Sequence, residues 1–191
     1  LSLSMAEAVY SVWAIPPEGV ARRLKKLMSA LRSEFGGPEF DPHITVVGAT
    51  KLTHHDALCN LRAAVDGGAA TAALKPYAAR LSAVSCGNTF FQCVYFLVDP
   101  SPEVMAARAH CGEHFGGGRA SSEYMPHLSL LYGDLSEEEK RRAAAMAEAL
   151  AGDDLIGLSF PVAALALYKT DTGDKTLDSW EKVAVFELAG D

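Results

Sequence analysis

Asp41-Pro42-His43-Ile44-Thr45-Val46 and Met125-Pro126-His127-Leu128-Ser129-Leu130 carry one pattern, Pro-His-apolar-hydroxyl-apolar, in two places 84 residues apart. Each stretch is short, alternating and rich in branched or aliphatic residues, so each is expected to be a strand. Successive side chains on a strand point to opposite faces. His43 and Thr45 therefore share one face and Ile44 and Val46 the other, and His127 with Ser129 repeats the arrangement. Each copy sets one imidazole beside one hydroxyl.

Working outward, the flanks repeat too. Val9-Tyr10-Ser11-Val12-Trp13-Ala14-Ile15 reads as a strand stopped by Pro16-Pro17. From Pro17 to Phe35, Leu24, Leu27, Met28, Leu31 and Phe35 make the apolar face of an amphipathic helix, with Arg22, Arg23, Lys25 and Lys26 opposite and Gly36-Gly37-Pro38 as its stop. The strand at His43 to Gly48 leads to a helix beginning at Thr53, with Leu58, Leu61 and Val65 on its apolar side and Gly67-Gly68 at its end, then a strand over Tyr77 to Ser85. After the turn Cys86-Gly87-Asn88 comes Phe90 to Val98, expected to be a nearly continuous apolar strand buried on both faces. Ser101-Pro102-Glu103 starts a helix to about Phe115, His127 to Tyr132 is a strand, and Ser136 to Glu139 is a capping box. The helix after that box has Ala143, Met146, Ala147 and Leu150 as its apolar face, and strands near Leu158 to Tyr168 and Trp180 to Leu188 flank the polar turn Thr170 to Lys175.

The order strand, helix, strand, helix, strand thus occurs twice, over residues 8–88 and 90–188, with one extra strand. Pro16 maps onto Pro100 at the same offset of 84, and Thr53 onto Ser136 at 83. Residues 1–191 are expected to form a single two-lobed domain with a ligand cleft between the lobes.

Composition narrows the function. The 191 residues carry 17 Lys and Arg against 24 Asp and Glu, a net charge of -7, the wrong sign for holding duplex nucleic acid through its phosphates. Hydrophobic residues are 49% and no apolar run approaches the roughly 20 residues of a membrane span. Cys59, Cys86, Cys93 and Cys111 form no CxxC pair and are read as reduced thiols of a cytoplasmic protein. Leu1 to Ser4 lack the character of a secretory signal, and the initiator-like Met5 suggests that these four residues precede the natural start.

An imidazole has an ordinary pKa near 6.5, so one can take a proton from water while a second, protonated, gives one to a leaving oxygen. Two histidines flanking one phosphorus suit phosphodiester hydrolysis, with Thr45 and Ser129 donating to the non-bridging oxygens where charge builds. The two motifs are chemically equivalent, so which histidine is the base stays open. No cofactor or metal is called for: His54-His55-Asp56 is adjacent rather than at ligand spacing, and His110 and His114 lack the Glu of HExxH, so a plain helix face is their simpler reading.

The paired His-x-Thr/Ser motifs resemble those of the two-histidine (2H) phosphoesterase superfamily, and their surroundings resemble the plant-type cyclic phosphodiesterases. The likeness runs through Tyr10 to Ala14, Lys26-Leu27-Met28, Leu31 to Phe35, Phe90 to Val94, Tyr124 to Tyr132, Lys169 to Thr172, and Asp174 to Leu177 with Trp180-Glu181. The resemblance implies a bilobal, duplicated α+β fold: two antiparallel-sheet lobes with outer helices around a central cleft. It implies opening of ADP-ribose 1″,2″-cyclic phosphate, a by-product of tRNA splicing, to ADP-ribose 1″-phosphate, and of nucleoside 2′,3′-cyclic phosphates to 2′-phosphates. Carried over, His43 and His127 are the acid/base pair, Thr45 and Ser129 the phosphate clamp, and Tyr132 a further phosphate or water contact.

Trp13 and Phe90 or Phe91 either stack on a base or ribose or pack in the core. The glycine-rich segment Gly116 to Ser122, with Arg119, either gates the cleft or is a solvated loop, and Cys111 at its base is a candidate for redox tuning. The expected partner is a small nucleotide-like cyclic phosphate, bound by a monomer, with no membrane. Two other readings stand beside this one: a 2H phosphodiesterase processing RNA ends, and a nucleotide-binding module without turnover. A basic track beside the cleft would favour the first, and ligand binding without turnover the second.

Overall fold

The computed structural model describes residues 6–116 and 124–190. Among these, eight strands and four helices follow the order β1 Glu7–Ala14, α1 Glu18–Phe35, β2 Ile44–Thr53, α2 His54–Asp66, β3 Tyr77–Cys86, β4 Val94–Val98, α3 Pro102–His114, β5 His127–Leu131, α4 Glu137–Leu155, β6 Ser159–Val162, β7 Ala164–Lys169, β8 Glu181–Glu187. Three helix starts are set by side-chain caps: Thr53 accepts from the Asp56 amide, Ser101 from that of Val104, and Ser136 from that of Glu139. The Glu139 carboxylate returns a bond to the Ser136 amide, so the capping box is complete, and each cap is worth about 1 kcal/mol.

All strands are antiparallel and lie in one curled sheet ordered β6-β3-β4-β5-β2-β1-β7-β8. The sheet is α+β in class and divides at its middle into two four-stranded lobes, β6-β3-β4-β5 and β2-β1-β7-β8. Across the seam β2 meets β5 through the single pair Ile44 and Leu128. The helices cross over this seam. α1, which leaves β1, packs on β5 and α4, while α3, which leaves β4, packs on β2 and α2. Ile44, Val46, Leu128 and Leu130 point under the helices and are almost wholly buried, leaving His43, Thr45, His127 and Ser129 for the open face.

Chain order and lobe membership differ. β3 comes from the first half of the sequence but pairs with β4, and β7 and β8, from the second half, extend the sheet beside β1. The stretch read as one strand from Leu158 to Tyr168 is therefore two: β6 pairs with β3, the chain turns at Ala163, and β7 pairs with β1. Pro161, which has no N–H to give, sits on the edge strand where none is needed.

Two further expectations change. Phe90–Gln92 forms a 3-10 turn instead of opening the strand, with the Gln92 amide bonded to the Thr89 carbonyl and the Gly133 amide to that of Phe90. Leu150 is 53% exposed, because the buried side of α4 steps in fours through Ala143, Ala147, Ala151 and Leu155. Of the glycine-rich segment, residues 117–122 with Arg119 lie outside the described residues.

Candidate active site

Local backbone chemistry orients both histidines in the same way. A proline fixes its own φ and keeps the residue before it extended, so the carbonyl two residues before each histidine folds back onto its ring. His43 Nδ1 lies 2.7 Å from the Asp41 carbonyl oxygen, and His127 Nδ1 lies 2.9 Å from that of Met125. A carbonyl only accepts, so Nδ1 carries the proton in each neutral ring and Nε2 is the nitrogen left for chemistry.

The environments of the two rings then diverge. His43 is 4% exposed and lies flat against Trp13, with ring centroids 3.4 Å apart and planes 4° apart. Burial lowers its pKa to about 4, with the His127 charge adding to the fall and the Asp41 carbonyl and carboxylate opposing it. His127 is half-buried and meets Tyr95 edge-on at 5.2 Å. Burial lowers its pKa as well, opposed by the bond to Met125.

The unfolded chain thus binds a proton at position 43 between about pH 6.5 and 4 that the folded chain refuses. Stability is full above pH 6.5 and falls with pH through this window, by up to about 3 kcal/mol from this group. Urea unfolding at pH 7 and pH 4.5 is expected to show a steeper loss in the wild type than in His43→Asn. Equal losses would contradict the burial of a neutral imidazole.

Thr45 and Ser129 stand two residues beyond the histidines on the same face. Ser129 is buried and donates to the Phe91 carbonyl at 3.3 Å, a long bond that a phosphate oxygen can replace. Tyr132 stacks on Phe40 at 3.8 Å, and burial raises its phenol, partly offset by a hydrogen bond with Ser129, so the hydroxyl stays protonated and able to donate. Gly37 makes this packing possible: at φ 77 to 97 the Gly36-Gly37 pair turns tightly, and any Cβ on Gly37 would run into the Tyr132 carbonyl.

These groups line a cleft of about 280 Å³. His43, Thr45, His127, Ser129, Tyr132, Trp13 and Phe91 all border it, whereas Phe90 does not: its ring packs edge-on against Phe91 and under the Lys175 ammonium. The 3-10 turn explains the split, since consecutive residues there point in different directions. Ser11, Gln92, Thr170, Thr172 and Trp180 also border the cleft and were not singled out from sequence. Ser11 was legible, lying two residues before Trp13 on the same strand face. The others depend on how the 3-10 turn and the β7–β8 loop fold. That loop is tied by the Asp174 carboxylate, which accepts from the amides and hydroxyls of Thr176 and Ser179 and is thereby held far below the usual carboxylate range. Trp180 donates from Nε1 to the Asp171 carbonyl and lies nearly parallel to Phe91.

Among the described residues no group of three or more His, Cys, Asp or Glu is placed to hold a metal ion. His110 Nε2 bonds to the Ala64 carbonyl, a helix-packing role. Cys59, Cys86, Cys93 and Cys111 are free thiols, and burial pushes Cys111 up to about 12. A buried, protonated thiol of that kind is a poor redox sensor. No described helix is long and apolar enough to cross a membrane.

A curled antiparallel sheet presenting two imidazole-hydroxyl pairs to one cleft is the architecture of a two-histidine phosphoesterase. The chain belongs to the cyclic phosphodiesterase-like protein family, whose model matches residues 8–190, and is an enzyme, a cyclic phosphodiesterase. It is 52% identical over 180 residues to the cyclic phosphodiesterase of Arabidopsis thaliana, covering 94% of this chain and 95% of that one. A 2′,3′-cyclic-nucleotide 3′-phosphodiesterase of Yarrowia lipolytica is 26% identical over 216 residues, covering 92% and 97%. In fold it is similar to E. coli LigT complexed with 3′-AMP, at a TM-score of 0.62 and 10% identity, covering 97% of this chain and 100% of that one.

Proposed function

We propose that this enzyme opens small nucleotide-like cyclic phosphates without a metal: ADP-ribose 1″,2″-cyclic phosphate to the 1″-phosphate and nucleoside 2′,3′-cyclic phosphates to 2′-phosphates. The observation that carries the reading is the pair of imidazoles, each with Nδ1 committed to a main-chain carbonyl, bordering one cleft with a hydroxyl beside each. The names of the Arabidopsis and Yarrowia relatives support the cyclic phosphodiester as substrate.

His43, buried and neutral at pH 7, is the general base. Its Nε2 takes a proton from water as the water oxygen bonds to phosphorus. His127, nearer to solvent, is the acid: the anionic phosphate favours its protonated form, and its Nε2 proton passes to the leaving ribose oxygen as the P–O bond breaks. Thr45 and Ser129 donate to the non-bridging oxygens, and Tyr132 adds a third hydroxyl. Trp13, Phe91 and Trp180 wall the space for ribose or base, and the charge of -7 fits a small ligand held locally better than a long polyanion.

Phosphorus NMR of either substrate with enzyme and chelator tests this. Chelator-resistant formation of the 2′- or 1″-phosphate is expected. Turnover abolished by chelator would overturn the metal-free mechanism, and turnover confined to RNA ends would replace the substrate class. The acid/base order has its own signature, since kcat/KM reports the free enzyme. Its acid limb is expected near pH 4 from His43 and its alkaline limb below 6.5 from His127, so kcat/KM falls as pH rises beyond that. In kcat the alkaline limb moves up, because bound phosphate stabilises the imidazolium. An alkaline limb unmoved between the two profiles would contradict His127 as the acid.

A further inference from the structure

We propose that Asp41 and Tyr168 are positioning residues which, with Trp13, close a ring of contacts around His43 and fix the plane and tautomer of its imidazole. The proposal rests on the assignment of His43 as the general base.

The ring has four links. His43 donates from Nδ1 to the Asp41 main-chain oxygen at 2.7 Å. The Asp41 carboxylate accepts from the Tyr168 hydroxyl at 2.8 Å. Tyr168 stacks on Trp13, with centroids 3.7 Å apart and planes 21° apart, and the opposite face of Trp13 lies on His43. One residue, Asp41, therefore closes the circuit through both its backbone and its side chain. The carboxylate is itself anchored by Lys25 on α1 at 2.9 Å and Lys182 on β8 at 3.5 Å. Burial works against its ionisation, but these cations and the Tyr168 bond prevail and hold the carboxyl at about 2.

The ring meets what a general base needs. A reactive nitrogen must be held to about 0.5 Å and 10–20°, and a histidine can fail by tilting or by flipping about its terminal torsion. The Trp13 face blocks tilting, and the Asp41 carbonyl disfavours a flip that would replace Nδ1 by carbon. His127 has a carbonyl bond of the same kind but, among the described residues, no carboxylate and no stacked ring: Met125 occupies the place of Asp41 and Tyr95 touches it edge-on. Two motifs that read as equivalent thus differ in how firmly they hold their imidazoles.

Among the described residues, the titratable groups around His43 are Asp41 from its own loop, His127 from β5, Tyr132 beyond β5, Tyr168 from β7, and Lys25 and Lys182 from α1 and β8 through Asp41. Asp41→Asn removes the one carboxylate among the described residues that favours the imidazolium, while keeping the main-chain oxygen. Tyr168→Phe removes the hydroxyl link while keeping the stacked ring.

The test is nitrogen-15 NMR of histidine-labelled protein across pH, without substrate, with steady-state kinetics on adenosine 2′,3′-cyclic phosphate. Asp41→Asn is expected to lower the His43 pKa below its wild-type value and to move the acid limb of kcat/KM with it. Tyr168→Phe is expected to lower kcat about tenfold at nearly unchanged KM and to broaden or split the His43 signal. Should Tyr168→Phe fail to fold by thermal melting, Asp41→Asn carries the test. Wild-type kcat with an unmoved His43 pKa and a single sharp signal in the folded variants would overturn the proposal. Turnover surviving in His43→Ala would overturn it differently, by removing the base it serves, and the substrate-free spectra separate the two failures.

Discussion

His43→Ala and His127→Ala are each expected to lower kcat on adenosine 2′,3′-cyclic phosphate by about 10²- to 10⁴-fold, the usual worth of one positioned acid or base. The double variant should be little worse than either single, because two groups that move one proton each in a concerted step act as a unit. Folding distinguishes the two positions. His43 is buried against Trp13, so its removal leaves a space between Trp13 and Phe40 and should also reduce thermal stability, whereas the half-buried His127 gives up little. Stopped turnover with intact ligand binding in well-folded His127→Ala would establish chemistry at this position. Unchanged kcat in either variant would remove it from the mechanism.

The hydroxyls come next in size. Thr45→Ala and Ser129→Ala each remove a donor aimed at oxygens whose charge grows in the transition state, a loss worth about 10²- to 10³-fold in kcat when such donors are preorganised. Thr45→Ser keeps the donor and should retain most of the activity. Ser129 is bonded to the Phe91 carbonyl at 3.3 Å, so its alanine variant also frees that carbonyl. KM is expected to move far less than kcat for both, since the donors bind the transition state more strongly than the ground state. A rise in KM alone, with kcat preserved, would make these residues ordinary substrate contacts.

Much of this site was readable before the fold was seen, and for a specific reason. A period-two pattern places His43 with Thr45 and His127 with Ser129 whatever the tertiary arrangement, and the prolines ahead of them restrict the backbone locally. Helix starts at Thr53, Ser101 and Ser136 were equally legible because a cap is a contact within four residues. Legibility ended where distant segments meet. Near residues 158–168 only Pro161 marks an edge strand, and nothing says that the chain changes sheet partners at Ala163, since an apolar run satisfies a strand in either lobe. Phe90 and Phe91 are neighbours of one type, and only the 3-10 turn sends one to the cleft and the other away from it. Thr172 and Trp180 reach the cleft through a loop whose shape is set by the Asp174 carboxylate, and Tyr168 meets Asp41 across 127 positions. The chemical difference between the two histidines lay beyond the motif for the same reason: it arises from Trp13, Tyr168 and a carboxylate supplied by separate elements.

The path of the chain between the lobes bears on how the protein comes apart. With β3 seated beside β4, and β7 and β8 beside β1, a cut near Gly87 would leave each fragment holding strands whose partners are on the other. The β6-β3-β4-β5 lobe is one continuous stretch of chain, 77–162, set between β2 and β7 of the other lobe, but the covering helices are exchanged: α1 from the other lobe's chain packs on β5, and α3 from within this stretch packs on β2, so neither lobe can melt without uncovering its neighbour. The proposed catalytic groups at that seam are thus held in register by cooperativity: losing one half of the cleft costs the other half a covering helix.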